Sequence, residues 1–416
     1  MISTARSTSP GEAPVLPADP AALLAHGAGA LRDGRLAEAE AALHAAIARA
    51  PGLAAAHDNL GLALAALGRP AEAEAAHRQA IALAPTAAGA YNNLAVLLRR
   101  QGQCGDACAA IQQAIALDPS VAAFHLNHGE TLRALKRPQE AAAAYASALR
   151  AKPDYADAYF ALGQLWFETD NLAGARFALG ACLKLDPGDR HGARALLAMI
   201  DPATPPPAQF SAGYVRNLFD GYAPRFEQHL LETLQYRGHT LLREAVDALG
   251  REGAARTDVL DLGCGTGLAG AAFRSIARRL VGVDLSPAMI EHARARQIYD
   301  ELVVGDIDTA LAGATGAYGI VVAADVFNYV GALDGVIPAM YRALEPGGIA
   351  AFTIESDPGG PPYRLLPSRR FAQNPDHVDA LARACGFDVA ARHDVVKRIE
   401  AGAPIAAALF ALRRPS

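Results

Sequence analysis

The sequence predicts a multidomain chain: an all-α repeat solenoid followed by an α/β domain with a mostly parallel seven-stranded sheet that ends in a C-terminal antiparallel hairpin. Three observations carry this: prolines at constant spacing through the first half, apolar strands alternating with helices from residue 258 onward, and a glycine-rich turn at 259–270. At 416 residues the chain has room for two or more domains with ample cores. Hydrophobic residues make up 52% and aromatics only 6%, so small side chains, alanine above all, must do much of the packing. A formal net charge of −5 gives no electrostatic reason to expect nucleic-acid binding. Residues 1–19, MISTARSTSPGEAPVLPAD, are rich in Ser, Thr and Pro and lack the apolar core of a signal peptide, so they read as a disordered lead-in. No run is apolar enough to suggest a membrane span. Five dispersed cysteines fit a reducing compartment, which makes the cytoplasm the expected location.

Prolines 51, 85, 119, 153 and 187 recur every 34 residues. Gly27, Gly61, Gly129 and Gly163 keep the same register, with Ala95 once in place of glycine. Ala39, Ala73, Ala107, Ala141 and Ala175 open a second helix, and Ala46, Ala80, Ala114, Ala148 and Cys182 follow two turns later. Small side chains at these places let two helices of a hairpin approach closely, and the period is that of tetratricopeptide repeats. Residues 20–200 are therefore expected to form five repeats plus a closing helix from 188 to 200. DPATPPPA, 201–208, reads as a Pro-rich linker.

Asn59, Asn93 and Asn127 recur at one repeat position, which the resemblance to other tetratricopeptide proteins places on the wall of a concave groove. A ladder of amides, each both donor and acceptor, suits the backbone of an extended protein or peptide partner. A solvated polar face copied by repeat duplication gives the same pattern. Cys104 and Cys108 share a helical face without a second ligand pair, which favours helix packing over a metal site.

Residues 209–416 read as the α/β domain, with 209–257 a helical lead-in. Strand one is 258–262, with a helix at about 268–278. Strand two at 280–284 is followed by a helix from Pro287 capped by Ser286. Strands three and four, 301–305 and 319–324, precede a helix at about 334–345. Strand five, IAAFTIE, and a helix at 376–385 lead to GFDVAARHDVV and PIAAALFALRR, which close the sheet as an antiparallel pair.

The turn VLDLGCGTGLAG carries the chemistry. Gly263, Gly265 and Gly267 permit a tight turn and close approach of a ligand to the backbone. Gly265, Gly267 and Gly270 also spell the G-x-G-x-x-G of a dinucleotide fold, but Asp261 before them would repel a pyrophosphate. Asp261, Asp284 and Asp306 each follow a strand at one sheet edge. Such an edge suits an amine or cationic group, a ribose and a purine, the parts of S-adenosyl-L-methionine.

Residues 258–355 resemble a class I S-adenosylmethionine-dependent methyltransferase through DLGCGTG at 261–267, VGVDLS at 281–286, GDI at 305–307, ADVFNYV at 324–330 and LEPGG at 344–348. The whole chain is similar to bacterial methyltransferases that carry amino-terminal tetratricopeptide repeats. This resemblance implies a Rossmann-like domain in which Asp261, Gly263, Cys264, Gly265 and Gly267 face the methionine portion. Asp284 and Leu285 would hold the ribose, Asp306 and Ile307 the adenine, and Asp325 would lie near the sulfonium. Tyr222 and Phe226, in the aromatic-rich helix YVRNLFDGYAPRFEQHL, would offer π faces to the sulfonium, although Phe226 equally suits an apolar anchor. Related segments often read GRYAHS where this chain has Arg370, Phe371, Ala372, Gln373 and Asn374 after Arg369, so no histidine base carries over.

No Asn-Pro-Pro-Tyr or Asp-Pro-Pro-Tyr follows strand four, which argues for an oxygen, carbon or alkyl-amine acceptor. Tyr329 is the candidate for a substrate-facing or catalytic residue, or else an ordinary packed tyrosine. Tyr363, Arg364, Arg369 and Arg370 lie in a Gly/Pro-rich loop where Arg364 and Arg370 would grip an acidic acceptor, or form a solvated surface. His229 and His377 read as surface or cap residues, and Arg398 with Glu400 as a local ion pair. Three functions follow: a methyltransferase acting on a protein or peptide held by the repeats, a small-molecule methyltransferase with the repeats as scaffold or oligomerisation module, and a non-catalytic adaptor.

Overall fold

The computed structural model describes residues 19–201, 203–251 and 256–416, so the expected lead-in at 1–18 lies outside the described residues. The chain divides between Thr169 and Asp170 into two compact units.

In the first unit helices run in antiparallel pairs: α1 (Pro20–Arg32) with α2 (Leu36–Arg49), α3 (Ala54–Ala66) with α4 (Pro70–Leu83), α5 (Ala88–Arg100) with α6 (Cys104–Leu117), and α7 (Ala122–Ala134) with α8 (Pro138–Ala151), before α9 (Ala156–Glu168). The glycines work as their spacing predicts. A Cβ on Gly27 would lie 2.7 Å from Leu43, on Gly61 2.6 Å from His77, and on Gly129 2.4 Å from Tyr145. In these three pairs the second helix thus fills the space of the missing side chain with a large one, whereas α5 carries Ala95 there; Ala39, Ala73, Ala107 and Ala141 are fully buried in the second helices.

The second unit begins with α10 (Leu172–Leu185) and α11 (Ala193–Ile200). The Pro-rich stretch lies inside this unit and is bridged. Ala195 of α11 packs with Phe210, Tyr214 and Phe371 on its far side, and Ser211 Oγ donates to Asp189 O at 2.8 Å. Next come α12 (Ala212–Gln228), continuing as a wider helical turn over His229–Thr233, and α13 (Gly238–Val246). Ser211 caps α12 by accepting from Tyr214 N.

The α/β core follows the order β1 (Thr257–Leu262), α14 (Leu268–Phe273), β2 (Ala277–Asp284), α15 (Pro287–Ala295), β3 (Glu301–Val304), α16 (Ile307–Ala312), β4 (Tyr318–Ala323), α17 (Val336–Ala343) and β5 (Leu344–Ser356). Ser286 caps α15 ahead of Pro287, as expected. Short β6 (Tyr363–Leu365) and β7 (Phe371–Gln373) precede α18 (Pro375–Ala384), and the hairpin β8 (Asp388–Glu400) and β9 (Ala403–Arg413) ends the chain. Strand order is β3-β2-β1-β4-β5-β7-β6, with β9 antiparallel on β5 and β8 outside β9. β1 to β5 pair in parallel where they meet.

Among the described residues the sheet therefore has nine strands rather than seven. The two extra strands arise in the stretch read from sequence as a loop. Each has three residues, too few to show a period of two, and β7 forms because its backbone pairs with Glu355 and Ser356 of β5. Alternate residues of the central strands feed opposite cores: Leu260, Val321 and Phe352 pack beneath α17, and Val259, Ile320 and Ala351 pack with Leu242 and Val246 of α13. Both faces are covered, so the ligand-accessible place left is the carboxyl edge of the parallel strands.

Candidate functional site

A cavity of about 710 Å³ opens at that edge, spanning the ends of β3, β2, β1 and β4. Its floor includes Gly263, Cys264, Gly265, Asp284, Leu285, Asp306 and Ile307, and Phe219, Tyr222 and Phe226 of α12 line it from another side. The glycine turn shapes the floor. Gly263, Gly265 and Gly267 have φ of 62°, 53° and 91°, and a Cβ on Gly263 would lie 2.6 Å from Val326. Asp284 ties this turn to β2, accepting from Gly265 N at 2.9 Å and from Ser286 N at 2.8 Å. Burial pushes its carboxyl above the usual range, while the two N–H donors oppose this. Asp306 caps α16, accepting from Thr309 N at 2.6 Å, and that bond holds its carboxyl low.

Asp261 departs from the expected position. It is 0% exposed, does not line the cavity, and accepts from Tyr299 Oη at 2.7 Å beneath the turn. Burial pushes its carboxyl up to about 7, against the opposing pull of the Tyr299 bond. The physical reason is directional: in β1 this side chain points toward the layer holding Tyr299, so it braces the turn from behind.

Asp325, at φ 64°, lies where β4 ends and lines the cavity. Burial alone would raise its carboxyl, but Lys397 and Arg398 outweigh that and hold it low. Lys397 is fully buried, pairs with Asp325 and donates to Asn328 Oδ1 at 3.2 Å. Arg398 bridges Asp325 (2.6 Å) and Glu355, and Arg370 bridges Glu355 (2.7 Å) and Glu400 (2.6 Å). The expected local pair Arg398 and Glu400, 3.5 Å apart, is thus one contact in a network that joins β5, β8 and the residue before β7. Arg370 lines the cavity with its charge already matched. Arg364 does not reach it: its side chain is 56% exposed and pairs with Asp357, because β6 turns it outward.

Tyr329 lines the cavity and also packs edge-on against Phe219 at 5.2 Å, so it is both wall and aromatic core; burial raises its hydroxyl. Tyr222 meets Phe226 edge-on at 5.2 Å and hydrogen-bonds His229 Nδ1, which brings His229 to the cavity rather than to the surface. Tyr236, His239 and Thr266 also line it. Sequence reading missed the first two, since nothing in 209–257 ties them to the turn, and passed over Thr266 among the glycines.

In the repeat unit Asn93 Nδ2 donates to Asp58 Oδ2 at 3.0 Å and Asn127 Nδ2 to Asn92 Oδ1 at 2.8 Å, each reaching back to the preceding repeat. Asn59 Nδ2 donates to Ala55 O within its own helix. One N–H of each amide is therefore engaged inside the solenoid. Among the described residues no disulfide joins the five cysteines, and Cys108 is buried 3.8 Å from His128. Among the described residues no helix is long and apolar enough to cross a membrane.

Residues 259–348 match a family model described as a methyltransferase domain. Residues 24–88, 92–156 and 132–206 match models described as tetratricopeptide repeats. A malonyl-[acyl-carrier protein] O-methyltransferase of Enterobacter lignolyticus is 32% identical over 137 residues, covering 32% of this chain and 51% of that protein. A trans-aconitate 2-methyltransferase of Paracidovorax citrulli is 32% identical over 133 residues, covering 32% and 50%. The chain spans about half the length of these curated relatives. A solved structure of Pseudomonas aeruginosa pilF aligns with a TM-score of 0.41 and 21% identity, over 51% of this chain and 96% of that one.

Proposed function

We propose that this chain, which joins tetratricopeptide repeats to a class I methyltransferase domain, transfers a methyl group from S-adenosyl-L-methionine to a small acceptor group that enters the cavity. The observation that carries the reading is the order of groups along one sheet edge: Asp306 and Ile307 after β3, Asp284 after β2, the glycine turn after β1, and Asp325 with Tyr329 after β4. That sequence of acid, acid, close-approach backbone and aromatic wall fits a purine, a ribose, a methionine arm and a sulfonium in turn. The cavity volume leaves room for such a nucleoside with a modest acceptor beside it.

Bound there, S-adenosylmethionine supplies an electrophilic methyl on a positively charged sulfur. The residues of the chain do the rest. Asp284, held by two backbone N–H groups, presents a fixed carboxylate to a ribose diol. Tyr222, Phe226 and Tyr329 give the sulfur end π faces and exclude water, which favours an in-line displacement. Asp325 is fixed by Lys397 and Arg398, so its negative charge stays put near the sulfur end while the two cations offset it. Net charge in the network is balanced, and a proton-carrying acceptor would have to lose its proton to a group other than these ion-paired side chains.

A second reading has the acceptor delivered on a protein docked on the repeats. The tetratricopeptide repeats favour it, and one relative is named for a malonyl group attached to a carrier protein. Tritiated-methyl transfer into a cell lysate, followed by size separation, tests both. Label in the small-molecule fraction supports the first reading, and label in protein, lost when the first unit, residues 1–169, is removed, supports the second. No labelled product in any fraction contradicts the enzymatic reading.

A further inference from the structure

The ion network at the β4 end of the cavity leaves a titratable pair beside it unused. His229 lines the cavity on the helical turn that continues α12, and its Nδ1 shares a hydrogen bond with Tyr222 Oη. Its other ring nitrogen, Nε2, has no partner among the described residues and is not enclosed, in contrast to the buried, unpartnered Nδ1 of His239. Two backbone bonds fix this turn to the strand that carries the network: Ile399 N donates to Leu234 O at 2.8 Å, and Arg237 N to Lys397 O at 2.9 Å. The pair is thus held toward the β8 side of the sheet, away from Asp306 after β3. Arg225 of α12 and Arg398 and Glu400 of β8 are the charged groups acting on Tyr222, and burial raises its hydroxyl above the ordinary value, so the phenol stays neutral. Arg370 and Arg398, the cations lining the same region, are each held by two carboxylates, Glu355 with Glu400 and Asp325 with Glu355. Neither offers an unmatched charge to an acidic acceptor.

We propose that His229 is the general base of methyl transfer, and that the acceptor atom is a proton-bearing oxygen or nitrogen rather than a carboxylate. The proposal rests on the methyl-transfer reading above and adds to it the class of acceptor. Tyr222 Oη accepts the Nδ1–H of His229, which fixes the ring and leaves the Nε2 lone pair for a proton. As the acceptor atom bonds to the methyl carbon, the carbon–sulfur bond breaks with its electron pair passing to sulfur, and the acceptor proton passes to Nε2. The products are the methylated acceptor, a neutral thioether and an imidazolium, which gives its proton to water. Tyr222 acts in this as a positioning residue through His229.

Tritiated S-adenosylmethionine and a cell lysate are the probes. Label transferred by the full chain should survive mild alkali, under which a carboxyl methyl ester releases volatile tritiated methanol. His229→Ala should slow transfer at saturating S-adenosylmethionine by about 100-fold or more, with calorimetric affinity for S-adenosylhomocysteine within about twofold of wild type. Tyr222→Phe keeps the ring at the sulfur end and should slow transfer by about tenfold. Imidazole added to His229→Ala should raise its rate by at least about tenfold, and pyrazole, a ring of the same size but far weaker basicity, should not. Circular dichroism checks folding; should His229→Ala fail to fold, the alkali test on wild type and the rate of Tyr222→Phe decide. Alkali-labile label, an unimpaired rate in either variant, or rescue by neither ring or by both alike would overturn the proposal while the methyl-transfer reading stands. A wild type that transfers no label would overturn both.

Discussion

Tyr299 donates its hydroxyl hydrogen to Asp261 across 2.7 Å, and it reaches that carboxylate only because residues 270 and 282 are glycines. A Cβ on Gly270 would lie 2.1 Å from Tyr299 Oη, and one on Gly282 2.8 Å from its ring. The third glycine of the apparent dinucleotide fingerprint therefore makes room for a tyrosine behind the turn, not for a pyrophosphate in front of it. Asp261 acts as a positioning residue for the cavity floor.

The buried Asp261 makes stability depend on pH. Its carboxyl lies near 7 in the fold and near 4 in an unfolded chain, so the fold favours its protonated form. That stability is fully present below about pH 4 and is lost as pH rises through 7. Asp261→Asn, which keeps an acceptor for Tyr299 without a charge, should gain about 2–3 kcal/mol more over wild type at pH 8 than at pH 5. Melting temperatures of both proteins at the two pH values check this; a constant difference would count against it.

Gly270→Ala should displace Tyr299 and destabilise the second unit by about 1–3 kcal/mol, because a side chain is forced into occupied space. Urea unfolding followed by tyrosine fluorescence would show a lower midpoint. An unchanged midpoint would mean that the tyrosine relaxes without loss.

Arg398→Ala removes the shared partner of Asp325 and Glu355, leaving the buried network one positive charge short with only Lys397 and Arg370 to offset three carboxylates, and should cost about 3–5 kcal/mol. Arg364→Ala removes a mostly exposed pair with Asp357 and should change stability by no more than about 0.5 kcal/mol. The contrast is read in one denaturation series. Similar losses for both would contradict the placement of the network.

Asn93→Ala and Asn127→Ala should each destabilise the repeats by about 1 kcal/mol, since each severs a bond to the repeat before it. Thermal unfolding of the full chain, monitored by helix ellipticity, measures this. Full stability in both variants would return these amides to the role of free groove residues.

The repeats were legible because helix pairing needs small residues at fixed places, and Gly61 and Gly129 meet their partners as the spacing implies. The central strands were legible because Val259, Leu260 and Leu262 in one and Ile320 to Ala323 in the other put apolar side chains on both faces, as buried parallel strands do. β6 and β7 were not, since three residues paired by distant backbone carry no local pattern. The role of Asp261 was misread because a strand's alternation fixes which face a side chain takes, whereas the motif was read as if every acid faced the ligand. Tyr236 and Lys397 were invisible for a related reason: their contacts lie across the fold, with nothing adjacent in sequence to mark them.

The most direct measurement is a crystal structure grown with S-adenosylhomocysteine, compared with binding by Asp284→Ala. The account predicts density along the sheet edge, adenine by Asp306 and Ile307 and ribose hydroxyls on Asp284, with affinity reduced at least about tenfold in the variant. A cavity that stays filled only by solvent, or a nucleoside bound elsewhere with full affinity in the variant, would contradict it.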